Sequence, residues 1–138
     1  MPDPVKDRTR VMHATLRRRA EGRPVMSLEE LRALFEQFMR QSGLCPYCMK
    51  RVTLATVALD HKIPVNRGGG HTASNLAFIC QSCNKAKGNL TADEFRSLIR
   101  HLDSWEVEQR NFTLKGGVLT ALKVAASFRI GANRRAKR

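Results

Sequence analysis

Apolar positions recur at helical spacing in two stretches of the chain. Leu31, Leu34, Phe35 and Phe38 fall at i, i+3, i+4 and i+7 behind Ser27-Leu28-Glu29-Glu30. That start is a capping box, in which Ser27 accepts from the Glu30 amide and the Glu30 side chain reaches back. Gly43 offers a stop. Thr91-Ala92-Asp93-Glu94 repeats the device ahead of Phe95, Leu98, Ile99 and Leu102. Both stripes predict core-facing helices. Residues 52–59 are rich in β-branched and apolar types and predict a strand. Residues 76–79 predict a second, with Pro64 and Gly68-Gly69-Gly70 forcing a loop between them. Antiparallel pairing across that loop follows. Basic helices are expected over residues 5–20 and 118–128.

Charge divides the same chain differently. Its 138 residues hold 25 Lys and Arg against 12 Asp and Glu, a net +13. The length suits one core, and 42% apolar content is enough to form it. The two helical segments, 25–44 and 91–104, are each near neutral at −1. The excess sits in residues 1–24 (+4), 45–90 (+5) and 105–138 (+6). This predicts a basic N-terminal arm over 1–24, a folded domain over 25–104 and a basic C-terminal extension over 105–138. An excess of this size points to a polyanion, with nucleic acid the default partner. Held by another protein, a soluble basic chain would look the same. Aromatic residues make up 6%, too few for a single-strand stacking platform. No apolar run is long enough to span a membrane, and the polar first ten residues lack a secretory signal, so a cytoplasmic protein is expected.

All four cysteines fall into two C-x-x-C pairs, Cys45/Cys48 and Cys80/Cys83. Two such knuckles complete a tetrahedron around Zn²⁺. Paired disulfides suit an exported protein, and a redox C-x-x-C needs one pair in a thioredoxin-like setting. Lys50, Arg51, Lys85 and Lys87 flank the knuckles and help keep the thiolates ionised. Thirty-one residues separate Cys48 from Cys80, more than a compact zinc ribbon uses. The metal therefore clips the base of an inserted ββ unit.

Within residues 45–90 there is one carboxylate, Asp60, directly beside His61. An acid repels phosphate, so a pure DNA binder has no need of it. Holding a divalent cation gives it a use, and the adjacent imidazole is suited to taking a proton from water. The bland alternative is a strand-end pair making turn hydrogen bonds. Adjacent strand residues also point to opposite faces, so the two converge only where the strand ends or bends. His71 in the glycine loop suits a loop hydrogen bond better than a phosphate contact. Arg67, Lys85 and Lys87 suit either backbone phosphates or a solvated face. His13 and His101 have no motif around them.

The run Leu59-Asp60-His61-Lys62-Ile63-Pro64, the three glycines, Asn75-Leu76 and Cys80-Gln81-Ser82-Cys83-Asn84-Lys85-Ala86-Lys87-Gly88 resembles the HNH endonuclease family. With Cys45 and Cys48 it is similar to the zinc-clipped branch known from phage and bacterial proteins. The resemblance covers roughly residues 44–95. It implies an α+β fold, a small ββα-metal unit clipped by a four-cysteine zinc site and flanked by helices. It assigns His61 as general base, Asp60 and Asn84 as ligands of a catalytic Mg²⁺ or Mn²⁺, and Asn75 as the residue steadying loop and base. Asn84 departs from a literal H-N-H, and its neutral oxygen suits a hard ion. The implied activity is phosphodiester hydrolysis in DNA, leaving 5′-phosphate and 3′-hydroxyl ends. The implied setting is a bacterial cell, beside phage terminase or other DNA-processing proteins. Two alternatives stand next to it: a non-catalytic zinc-stabilised DNA-binding module, and an accessory factor of a phage DNA-packaging machine.

Overall fold

The structure, a computed structural model, describes residues 2–103, so the basic extension over 105–138 and the helix expected at 118–128 lie outside the described residues. Helix α1 runs Pro4–Arg18. Asp3 caps it, accepting from the amides of Val5 and Lys6 at 3.1 and 3.2 Å, and Pro4 sits where a missing N–H costs nothing. Thr9, Met12 and Leu16 form its buried face. The N-terminal basic segment therefore contributes a packed helix to the folded body. Helix α2 spans Leu28–Gln41 and begins with the expected capping box, Glu30 N to Ser27 Oγ at 3.0 Å and Ser27 N to Glu30 Oε1 at 2.8 Å. Leu31 and Phe35 are fully buried, and Leu34 and Phe38 pack half-buried beside them. Gly43, at φ +63°, ends the helical path in the left-handed region.

Strand β1 is Val57–His61 and pairs antiparallel with β2, Leu76–Cys80, in the register Val57 to Cys80 through His61 to Leu76. The first strand expected over 52–59 is thus displaced toward the C-terminus. Thr53 and Thr56 close a turn on each other instead, the Thr53 amide donating to Thr56 Oγ1 at 2.9 Å and the Thr56 amide to Thr53 O at 3.1 Å. Local hydroxyl bonds of this kind compete with a ladder. The ladder also stops at Val57, because β2 ends at Cys80, where the second knuckle turns the chain into α3, Gln81–Lys87; beyond it the Thr56 carbonyl accepts a single bond from the Gln81 amide at 2.8 Å. Cys80 caps that short helix, its Sγ accepting from the Cys83 amide at 3.4 Å.

Helix α4, Ala92–Asp103, starts from the second capping box, Thr91 N to Glu94 Oε1 at 3.0 Å and Glu94 N to Thr91 Oγ1 at 3.1 Å. Phe95, Ile99 and Leu102 are its buried face. One apolar cluster joins α1, α2, the hairpin, the knuckles and α4. Its aromatic centre is Phe35 against Phe78 at 5.0 Å, with Phe38 tilted on Phe78 at 5.6 Å. Tyr47, from the first knuckle, meets Phe95 edge-on at 4.9 Å and carries the Arg96 guanidinium on its ring. Each fully buried side chain of this size contributes about 1.5–3 kcal/mol. The result is an α+β body in which every element but the hairpin is helical.

Candidate active site

The knuckles come first because they fix the base of the hairpin. The ligand atoms of Cys45, Cys48, Cys80 and Cys83 all lie within 4.8 Å of one another, and all four residues are buried. The Cys48 and Cys80 sulfurs are 3.7 Å apart. Thiolates about 2.3 Å from a tetrahedral zinc stand roughly 3.8 Å from each other. The four-cysteine set therefore fits zinc. Backbone geometry makes the first knuckle: Cys45 N donates to Lys50 O at 2.8 Å, Met49 N to Cys45 O at 2.8 Å, and Met49 takes the left-handed φ of +65°.

Asp60 and His61 occupy successive ladder positions of β1. The strand does not end between them, so their side chains leave on opposite faces. His61 faces a cleft of about 470 Å³ between α1 and α3, whose walls include Arg8, Arg19, Gln81, Asn84 and Lys85. Asn84 and Lys85 are exposed there. Helix α1 was not expected to form part of this cleft. Its basic residues reach the site only because its apolar face packs on the core.

Asp60 lies behind the cleft. Its Oδ1 is 3.1 Å from Lys87 Nζ, with side-chain exposures of 5% and 1%. Burial pushes the Asp60 carboxyl above its usual range, outweighing the pull of the Lys87 ammonium. Lys87 Nζ also donates to the His61 carbonyl at 2.9 Å. The sequence places Lys87 on a phosphate-contacting or solvated face, and the structure corrects both. At 1% exposed and held by two buried acceptors, its ammonium cannot reach a DNA backbone. It pins the end of α3 to β1 instead.

Arg67 is exposed, but Glu94 takes its guanidinium through both oxygens and Asn89 O accepts at 3.1 Å. That partnership holds the Glu94 carboxyl down at about 2. Asn75 bridges the two ends of the glycine loop. Its Oδ1 accepts from Ile63 N at 2.9 Å, and its Nδ2 donates to Ile63 O and Gly70 O, both at 3.0 Å. Gly69 is the tight point, for a Cβ there would run into the Ile63 carbonyl and the Asn75 amide.

His71 is the residue whose part was not legible in advance. It is fully buried, and its Nδ1 stands 3.0 Å from His61 Nε2, the rings perpendicular. Burial, then His71 and the charges of Arg19 and Lys87, lower the His61 imidazole to about 4. The imidazole is thereby kept unprotonated at neutral pH, with a lone pair available but with less basicity than a free histidine. Three glycines preceding a histidine, ten residues after His61, was the only sequence signal.

The two donors that the resemblance names for a second, hard cation lie on different faces: Asn84 is exposed in the cleft, and Asp60 is buried behind it against Lys87. Asp60 Oδ2 is buried with no hydrogen-bond partner, on the side of β1 where the Tyr47 hydroxyl pulls the carboxyl down. Oxygen donors of this kind suit Mg²⁺ or Mn²⁺.

Residues 45–90, from the first knuckle cysteine to just past α3, match the family model "HNH endonuclease" and constitute an HNH domain. Over 56 residues the chain is 34% identical to the CRISPR-associated endonuclease Cas9 of Corynebacterium diphtheriae. That similarity covers 40% of this chain and 5% of that relative. Among the described residues no helix is long and apolar enough to cross a membrane.

Proposed function

We propose that this chain is a metal-dependent DNA endonuclease, nicking or cutting both strands. The observation that carries the reading is the placement of His61, buried in the wall of a cleft it shares with Arg8, Arg19 and Lys85, within the HNH-matched segment. His61 takes a proton from water, and the resulting hydroxide forms a bond to phosphorus. The P–O3′ bond breaks, and its electron pair leaves on the 3′ oxygen, which is protonated from solvent. The ends are then 5′-phosphate and 3′-hydroxyl. Asp60 and Asn84 are the donors the resemblance names for a Mg²⁺ or Mn²⁺ ion, which would supply neutralisation of the charge gathered on the phosphate and leaving oxygen.

The chain's own residues bring the substrate to that point. Arg8, Arg19 and Lys85 line the cleft with positive charge, which favours a phosphodiester backbone without reading bases. Asn75 holds the loop at the end of β1, and Lys87 fixes the His61 backbone from beneath. Zinc on the four cysteines ties both strands to their base and contributes to folding, with no part in the reaction. By its resemblance to phage and bacterial enzymes, the protein would act in a bacterial cytoplasm, beside terminase or similar DNA-processing proteins.

Purified protein with Mg²⁺ or Mn²⁺ should nick or linearise supercoiled plasmid, and His61→Ala should abolish cleavage while DNA binding and the circular dichroism spectrum are kept. Cutting by that variant at the wild-type rate removes His61 as the base. Binding without any cutting by the wild type favours the DNA-binding module.

A further inference from the structure

We infer that His71 is a positioning residue that sets the tautomer of His61, keeping its Nε2 protonated and its Nδ1 bare for a water in the cleft. The inference rests on the reading of His61 as proton acceptor.

One hydrogen lies between His61 Nε2 and His71 Nδ1, 3.0 Å apart. If His71 donates it, His61 must carry its own proton on Nδ1, and the remaining nitrogen of the base is blocked. If His61 donates it, Nδ1 keeps its lone pair free. Only the second arrangement survives proton uptake, because a His61 imidazolium donates from both nitrogens and needs His71 Nδ1 as acceptor. The contact therefore works with the reaction in one tautomer and against it in the other.

His71 is built to stay in place. It is fully buried, its carbonyl accepts from Met26 N at 3.1 Å, and it bridges to Val25. Gly69 O and Val65 O accept from Arg23, and Gly70 O from Asn75. The loop before His71 is thus tied on both sides, and the ring has no room to turn away. Its Nε2 is buried with no hydrogen-bond partner. A side chain selected for packing alone would not leave a buried polar atom orphaned, whereas an imidazole placed to present Nδ1 to His61 accepts that cost.

The test reads the tautomer directly, by long-range ¹H–¹⁵N correlation spectra of the full, zinc-loaded chain labelled at histidine, at pH 7. The wild type should show His61 as the Nε2–H form. His71→Asn, whose Oδ1 stands in for Nδ1, should keep it, and His71→Leu should shift His61 toward a mixture or the Nδ1–H form. In the plasmid assay His71→Leu should lower kcat roughly 100-fold with KM for DNA changed less than about threefold, and Asn should restore at least about tenfold of that loss. A wild-type His61 protonated on Nδ1 overturns the proposal, and so does an unchanged Nε2–H form in His71→Leu. The wild-type spectrum decides even where the Leu variant fails to fold. Should the wild type prove unable to cut DNA, the nuclease reading falls, and the spectra still decide the role of His71.

Discussion

The sharpest test of the interior is Lys87→Met, which keeps the packed stem and removes the ammonium. It leaves Asp60 buried without its cation and the His61 carbonyl without its donor, bonds of 3.1 and 2.9 Å in the wild type. Breaking one side of a buried pair costs about 3–5 kcal/mol, a large share of a typical domain stability on the order of 5–15 kcal/mol. Asp60 has one escape, which is to take a proton. From an ordinary carboxyl value of 3.8, neutralisation at pH 7 costs about 4 kcal/mol, falling by about 1.4 kcal/mol per pH unit. The expected loss is therefore about 3–4 kcal/mol at pH 7 and about 2 kcal/mol at pH 5. Urea unfolding of the zinc-loaded protein at both pH values measures it, with free zinc held constant. Adding Asp60→Asn should recover most of the loss, since a neutral amide no longer needs the ammonium. A loss below about 1 kcal/mol at pH 7, or the same loss at both pH values, would refute a charged buried pair.

Three further outcomes are expected. Cys80→Ser should remove a metal ligand and the α3 cap together, so that near-native circular dichroism is lost; a variant that stays folded in the presence of a strong chelator contradicts the zinc clip. Gly69→Ala should push the loop off Ile63 and Asn75, lowering cleavage more than tenfold, on the order of the loss that misplacing catalytic groups causes, and loosening hydrogen-exchange protection around the loop; an unperturbed variant means the close approach is wrong. The Glu94 carboxyl is held at about 2 against an ordinary 4.5, so the Arg67–Glu94 pair stabilises fully above about pH 4.5 and progressively less as the pH falls toward 2. The zinc thiolates are protonated in the range where the pair titrates, so the check is made at pH 7, where Glu94→Gln should lower the urea midpoint of the zinc-loaded protein and an unchanged midpoint counts against the pair.

Short-range patterns carried much of the fold. Both capping boxes form as their spacing requires, because a cap is decided within four residues. Each knuckle follows from its own C-x-x-C spacing for the same reason, whereas the antiparallel hairpin follows from two apolar segments joined by the glycine loop. The first strand starts at Val57 and not at residue 52 because β-propensity reports fit to a pleated surface, and β2 offers that surface only from Val57 onward. Lys87 was misassigned for a related reason. A lysine in a basic helix reads as solvated, and only the packing of α3 on β1 shows that its ammonium is the partner of Asp60.

From the order of residues alone came the zinc knuckles, the two capped helices, the basic balance and the adjacency of Asp60 and His61. Each is a matter of residue type at short spacing, which the chain carries in any conformation. Tertiary structure decided what those residues face. The β ladder sends Asp60 down to Lys87 and His61 up to the cleft, since neighbours on a strand leave on opposite sides. Closure of the glycine loop sets His71 against the His61 ring, and packing of α1 turns a basic segment into the cleft's second wall. Contacts of that kind depend on loops closing and faces burying together, and no local pattern encodes them.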